Sequence, residues 1–514
     1  MKWTLCAAFI DVLKELKSNT PRIHELLDRI EGLFSSNTQY LYLDATEEPH
    51  ARAAILPAPL EDYSYRSGLP RPQRAVLNIV LASMGIAGRV QPVLCAAALS
   101  WGLFGLFCTL IVTRLTLIVT GFTDHALRKA DRGAAFPDHD LPVFSILVAA
   151  YQEAAMMPPL AAALRAIDWP ERRLDILILL EADDPETIRA AHAATFPSGT
   201  QIILVPPGGP RTKPNALNHG LTLARGEFVT VYDVEDQPHP QQIRAAYLAF
   251  LRAPMRTVCV QARLVAGHSV RNWISAHWAL EYDVQFGLLM RGLSLYRMPI
   301  LLGGTSNHIR RVALLALGGW DRWNVTEDAD LGMRLARARL LTKTINTPTR
   351  EMAPLHFSVW LAQRSRWLKG FLQTWLVLMR NPGKTIRQMG VVPFIVMQLT
   401  LGGAILTSLA QAPFAALTLF ALISGHLQVG AIGLGLLSAG ILVGFIGDVA
   451  APGEWNWRRV FAVLTRPLYW PLHSLAAYRA LWELANRPFF WAKTPHHPRD
   501  AEPEPSSFST GSSA

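Results

Sequence analysis

The stretch Phe228–Pro238 reads Phe-Val-Thr-Val-Tyr-Asp-Val-Glu-Asp-Gln-Pro. Five residues rich in β-branched and aromatic side chains run directly into three carboxylates within four positions. The first part predicts a buried strand, Phe228–Tyr232, because such residues fit a pleated, half-covered surface. The second part places Asp233, Glu235 and Asp236 at the strand terminus. Three acids this close repel one another unless a cation lies between them. A solvated acidic turn is the plain reading of such a cluster. The chemical reading is a site for a hard divalent ion, Mg²⁺ or Mn²⁺, held by carboxylate oxygens together with substrate phosphates.

Similar apolar runs precede this strand. Val143–Ala150, Leu174–Leu180 and Gln201–Val205 alternate with helix-like stretches at Met157–Ile167, Glu186–Thr195 and Asn215–Ala224. Strand and helix in alternation predict a parallel sheet with right-handed crossovers. Sheets of that kind bind ligands outside the carboxyl ends of their strands. Leu174–Leu180 also ends in acids, Glu181-Ala182-Asp183-Asp184, followed by Pro185. There Asp184 is suited to cap a helix that Pro185 opens.

Two further clusters follow. Thr326-Glu327-Asp328 leads into a helix through Arg339, with Thr326 at the N-cap position and acids in the first turn. A carboxylate there also suits a general base that takes a proton from a hydroxyl. Gln363-Arg364-Ser365-Arg366-Trp367 is expected on an amphipathic helix, as in a membrane-interface helix with Arg and Trp anchors. Arg366 also suits a diphosphate, and Trp367 a sugar ring.

Hydrophobic residues make up 50% of the 514-residue chain and charged ones 17%; the mean hydropathy is +0.20. The apolar residues are concentrated. Val391–Gly447 holds no Lys, Arg, Asp or Glu, enough for two or three membrane passes. Val90–Gly121 is interrupted only by Arg114 and fits one long span or a hairpin. The net charge of +10 is scattered, without the basic and aromatic interleaving of a nucleic-acid groove, so nucleic acid is excluded as a partner. Cys6, Cys95, Cys108 and Cys259 show neither metal-ligand spacing nor a disulfide framework. Met1–Lys17 reads as an amphipathic helix rather than a signal peptide, since Asp11, Lys14 and Glu15 interrupt its apolar residues.

These boundaries divide the chain into residues 1–89, a small region with a Pro-rich linker around Pro57–Pro72; 90–121, a membrane segment or hairpin; 122–389, an α/β domain with interface helices; 390–493, membrane and interface helices; and 494–514, a disordered tail.

In this order the motifs resemble the family 2 glycosyltransferases, in their cellulose-synthase-like membrane branch. The likeness spans about 142 to 494. It rests on the aspartate pair Asp183-Asp184, a D-x-D-like Asp233/Glu235, Thr326-Glu327-Asp328, and Gln363 with Arg366 and Trp367. Tyr151-Gln152-Glu153, Lys213-Pro214-Asn215-Ala216-Leu217-Asn218, Gly303-Gly304-Thr305 and Arg487–Thr494 add to it. Two departures stand out. Glu235 replaces the second aspartate and is followed by Asp236, which leaves open which of them reaches a metal. Pro185-Glu186-Thr187 replaces the usual Gly-Ser after the first pair.

The resemblance implies a Rossmann-like GT-A domain joined to transmembrane helices, and an inverting displacement at a sugar's anomeric carbon. Asp183, Asp184 and Lys213 are then expected to bind the nucleotide of a UDP- or GDP-sugar. Asp233, Glu235 or Asp236 are expected to hold Mg²⁺ or Mn²⁺, with Asp328 as the base. Thr326, Glu327, Gln363, Arg366 and Trp367 are expected to line the acceptor and diphosphate side. The implied acceptor is a glycan, in polysaccharide synthesis with export partners, or a single lipid carrier; an inactive scaffold of an export complex is the third reading. The implied location is the inner membrane, the catalytic domain facing the cytosol, with Arg364, Arg366 and Lys369 as its positive-inside flank.

Overall fold

A computed structural model describes residues 60–127, 141–206, 210, 212–267, 270–425 and 427–491. The expected N-terminal amphipathic helix, Cys6 and the 494–514 tail lie outside them. The described part of the expected Pro-rich linker begins at Leu60. Residues 60–67 form two short 3-10 turns, and helix α1 (Arg71–Val90) begins at the Pro72 end, where proline suits a first helical turn. Helix α2 (Pro92–Leu127) follows after Gln91 alone, so the apolar block is one unbroken helix from Pro92 on, with Val90 closing α1.

The parallel core then unfolds in the expected order: β1 (Phe144–Ala150), α3 (Met157–Arg165), β2 (Leu174–Glu181), α4 (Pro185–Ala193), β3 (Gln201–Val205), α5 (Lys213–Leu223) and β4 (Phe228–Tyr232). Next come β5 (Gln237–Pro238), α6 (Gln242–Leu251), β6 (Thr257–Ala266), α7 (Trp273–Val284), a π turn at Gln285–Leu289, α8 (Met290–Leu295), β7 (Asn307–Arg310), α9 (Arg311–Ala316), α10 (Glu327–Arg337) and β8 (Leu341–Glu351). The eight strands form one sheet in the order β3-β2-β1-β4-β7-β6-β8-β5. Strands β3, β2, β1 and β4 are mutually parallel, whereas β7 runs antiparallel to both β4 and β6.

Alternation along each central strand sorts side chains into two cores. Phe144, Ile146, Val148, Ile176, Ile178, Phe228 and Tyr232 pack on one face with Leu160 and Leu164 of α3 and Ile243 of α6. Leu147, Leu177, Leu179, Val229 and Val231 pack on the other with Leu217 and Leu221 of α5 and Leu331 and Leu335 of α10. A sheet covered on both faces explains why these strands read as continuous apolar runs. Fully burying one such side chain stabilises by roughly 1.5–3 kcal/mol.

The chain continues through α11 (Phe357–Leu378), α12 (Pro382–Met389), α13 (Val391–Met397), a π turn into α14 (Gly403–Ile423), α15 (Leu427–Ala450), α16 (Trp457–Tyr469) and α17 (Leu472–Asn486). Among the described residues, three segments are long and apolar enough to cross a membrane: Pro92–Asp124, Val391–Ile423 and Ala431–Ala450. The charge-free block from 391 to 447 thus supplies two of them.

Candidate active site

Strand order reverses between β1 and β4, and the carboxyl ends of β1, β2 and β4 open there into a cavity of about 770 Å³. Residues far apart in sequence meet in its wall. Tyr151, Gln152 and Glu153 come from the end of β1 and Glu181 from β2. Asp233 and Glu235 come from β4, Gly303–Thr305 from the approach to β7, and Glu351 from the end of β8. Thr326, Glu327 and Asp328 enter at the start of α10, and Gln363, Arg366 and Trp367 from α11.

Lys213, at the first position of α5, ion-pairs with Asp233 and donates to the Gly304 carbonyl at 2.7 Å. A Cβ on Gly304 would lie 3.5 Å from Asp328 Oδ2 and 3.8 Å from Lys213 Nζ, which places this loop against both charged groups. Burial pushes the Glu327 carboxyl up to about 7, with Asp328 beside it adding to the push. The Asp328 carboxyl is itself raised by burial, against the pull of Lys213 and Arg366. Glu351, unnoticed in the sequence because it closes a strand without a motif, rises to about 8 through burial and the charges of Asp233 and Glu235.

Asp236 separates from its neighbours. Its side chain turns into the protein, where Oδ2 accepts the Asp233 backbone N–H at 2.7 Å and the Thr305 hydroxyl, and Oδ1 has no partner. It does not line the cavity, whereas Asp233 and Glu235 do.

The first acidic pair also stays outside the wall. Asp184 caps α4, accepting Thr187 N–H at 3.2 Å through Oδ1 and Gln152 N–H at 2.5 Å through Oδ2. It therefore pins the β1 loop, holding Gln152 at a left-handed φ of 54°. Asp183 is exposed. Thr326 occupies the N-cap position of α10 without making the side-chain cap; its N–H donates instead to Asn324 Oδ1 at 2.9 Å.

Helix α11 is no surface anchor. Trp360, Ser365, Leu368 and Lys369 are buried. Gln363 accepts from the Trp278 indole N–H at 3.1 Å, and Arg366 donates to the Val325 carbonyl at 3.3 Å while stacking over Trp491 at 5.0 Å. Arg364 ion-pairs with Glu281, and Lys369 with Glu483 at 2.9 Å. The basic residues read as a membrane flank are thus committed to internal contacts.

Carboxylates of this kind fit a hard divalent ion. Asp233 and Glu235 raise the proton affinity of the buried Glu351, and a cation among them relieves that repulsion. Among the described residues no group of three His, Cys, Asp or Glu side chains forms a closed metal cage. An ion that takes one or two carboxylates plus substrate phosphates needs none.

Comparison with known proteins agrees with this geometry. The family model described as glycosyltransferase-like family 2 matches residues 142–370. Cellulose synthase 2 of Novacetimonas hansenii is 26% identical over 260 residues, 47% of this chain and 15% of that protein. The β-monoglucosyldiacylglycerol synthase of Synechocystis sp. is 25% identical over 379 residues, 69% of this chain and 75% of that protein. Among solved structures, the mannosyltransferase PcManGT from Pyrobaculum calidifontis, in complex with GDP-Man and Mn²⁺, is 18% identical, with a TM-score of 0.47 over 75% of this chain and 99% of that one. The chain spans a small part of the first relative and three quarters of the second. With its mostly parallel sheet and the ordered motifs in one cavity, the segment 142–370 is similar to the glycosyltransferases of family 2.

Proposed function

We propose that the chain is a membrane-bound, inverting glycosyltransferase that moves a sugar from a UDP- or GDP-sugar to a hydroxyl acceptor in polysaccharide synthesis. The observation that carries this reading is the single cavity in which Asp233, Glu235, Lys213, Asp328, Gln363, Arg366 and Trp367 meet.

In the reaction, Asp328 accepts the proton of the acceptor hydroxyl as its oxygen bonds to the anomeric carbon. The bond from that carbon to the diphosphate oxygen breaks, and its electron pair leaves with the diphosphate. Lys213 and Arg366 bring positive charge toward the leaving group, and Trp367 offers an apolar face to a sugar ring. Mg²⁺ or Mn²⁺, held by Asp233 and Glu235 when bound, supplies Lewis-acid stabilisation of the diphosphate. Asp184 acts from behind by fixing the Gln152 loop, and Asp183 remains the candidate contact to the nucleoside. Nucleotide sugars are cytosolic, so the catalytic domain faces the cytosol.

A second reading, single addition to a lipid carrier, draws support from the cavity's reach to Thr113 of α2 and Thr407, Ser408 and Gln411 of α14, within the apolar segments. Leu110, Leu117, Leu399 and Ala404 line the same arm, so it offers apolar as well as hydroxyl surface. The inactive-scaffold reading fits poorly with the convergence of Asp233, Glu235 and Asp328. The purified protein, given UDP- and GDP-sugars with Mn²⁺, is expected to release the nucleoside diphosphate and build polymer. A short glycolipid product would favour the second reading, and no turnover of either donor would reject both.

A further inference from the structure

Resting on the membrane-bound reading, we propose that α1 crosses the hydrocarbon core of the bilayer and returns through α2, the lipid being the partner of its exposed face.

The argument starts at the two ends of this segment. Before α1, Tyr63, Ser64 and Tyr65 are buried. The Ser64 hydroxyl donates to Asp321 Oδ1 at 2.8 Å, and the Tyr65 N–H to Asp321 Oδ2 at 3.2 Å. Arg380 donates to the carbonyls of Ser64 and Gly68, each at 2.9 Å. Asp321 lies seven residues before Asp328, so residues 63–68 are fastened to the catalytic domain. At the far end of α2, Arg291 donates to Asp124 at 2.5 Å, and Thr120 bonds the Tyr296 hydroxyl at 2.9 Å. Arg291 and Tyr296 belong to the same domain.

Both ends of the α1–α2 segment therefore sit on one side of any membrane that α2 crosses. One crossing by α2 would put them on opposite sides, which the Ser64–Asp321 bond forbids. The residues between Gly68 and Gln91 must make the second crossing, and α1 is the element there.

Its dimensions and chemistry fit. Twenty residues at 1.5 Å each give about 30 Å, the thickness of a hydrocarbon core. From Ala75 to Gly88 there is no charged residue, while Arg71, Arg74 and Arg89 stand at the ends, where long basic side chains reach toward headgroups. No residue of α1 is buried, and Ile79 and Ile86 are 64% and 65% exposed. An apolar helix left bare on its protein has found its cover in lipid. Arg74, Asn78 and Arg89 lower its mean hydropathy, which is why hydropathy alone passes over it.

The other membrane segments obey the same accounting. Val391–Ile423 leaves the domain and Ala431–Ala450 returns, after which Arg459 of α16 pairs with Asp283 at 2.7 Å. Four crossings then keep residues 60–68, the catalytic domain and α16–α17 on one face.

The test uses the full chain in cells with the native cysteines replaced and single cysteines introduced by Asp62→Cys, Gln91→Cys and Glu186→Cys. A membrane-impermeant maleimide is applied to intact cells and to inverted membrane vesicles. Asp62→Cys and Glu186→Cys are expected to react in the same preparation, and Gln91→Cys at least tenfold faster in the other. Gln91→Cys reacting with Glu186→Cys, or equally in both preparations, would overturn the proposal. So would Asp62→Cys reacting opposite to Glu186→Cys. If the cysteine-free chain fails to fold, an epitope inserted after Gln91 of the native chain gives the same reading by antibody. Reaction of Glu186→Cys from outside intact cells would reject the cytosolic orientation while leaving the hairpin standing.

Discussion

The Lys213 ammonium rests on the Asp233 carboxylate and donates to the Gly304 carbonyl at 2.7 Å, so a cation already faces the first acid of the D-x-D-like motif. In the proposed reaction the diphosphate would offer that ammonium phosphate oxygens, and Asp233 would be free to hold a divalent ion. Turnover is therefore expected to stop in excess chelator and to return with Mg²⁺ or Mn²⁺. Asp233→Asn is expected to lower the rate about a hundredfold or more, the largest loss among the three acids, with Glu235→Gln weakening Mn²⁺ binding. Full activity in excess chelator would contradict this.

Asp236 is expected to behave differently from its neighbours. Its carboxyl is raised well above the usual range by burial, with Asp233 and Glu351 adding to the effect. Asp236→Asn keeps an acceptor for the Asp233 N–H and mimics the neutral carboxyl that burial favours. Mn²⁺ affinity should stay within about twofold, and thermal unfolding should shift by about 1 kcal/mol or less. Asp236→Ala leaves that N–H without its partner and is expected to cost about 1–3 kcal/mol.

Glu351 and Glu327 make stability depend on pH. Their native carboxyls titrate near 8 and 7, above the roughly 4.3 of an unfolded glutamate. Between those values the folded state holds more protons than the unfolded one, so stability falls as pH rises. Buried His277 and His308, held neutral with pKa values of about 3, oppose this below about pH 6.5, so the melting temperature of the ligand-free protein is expected to decline from about pH 6.5 to pH 8. Glu351→Gln should flatten the decline, as should Mn²⁺ with a nucleoside diphosphate. A melting temperature that climbs across this window would contradict the burial of these groups.

The parallel half of the fold was legible in the sequence. Phe228–Tyr232 and Gln201–Val205 are strands over the stretches that their apolar runs mark, and β1, β2, α3 and α4 agree to within two residues at each end. Burial on both faces writes such strands as uninterrupted runs. Strands β6, β7 and β8 were not legible. Thr257–Ala266 carries Gln261 and Arg263, and Leu341–Glu351 holds consecutive polar residues such as Thr342-Lys343-Thr344, so neither reads as an apolar run. At the site, Asp233, Asp328 and Gln363 stood out through local spacing. Glu351 and the inward turn of Asp236 depend on long-range contacts that no local pattern records.

Helix α11 sets the position of the loop before α10. A Cβ on Gly370 would lie 2.1 Å from Thr326 Oγ1, and Gln373 holds the Val325 N–H at 3.1 Å. Gly370→Ala is expected to push Thr326 and, with it, Asp328 out of place. The transfer rate should fall about tenfold or more, with a stability cost of about 1–3 kcal/mol. Unchanged kcat in the folded variant would show that the loop tolerates the shift.

The central claim is that Asp328 takes the acceptor proton, and Asp328→Asn tests it most directly because it keeps the shape and removes the basicity. Transfer rate, donor affinity and thermal unfolding are measured on one preparation. The expected result is a loss of about a hundredfold or more in rate, with donor affinity and fold nearly unchanged. A merely helix-capping acid would instead cost about 1 kcal/mol of stability and leave activity largely intact. An Asp328→Asn protein that transfers sugar at near the unsubstituted rate would contradict the account.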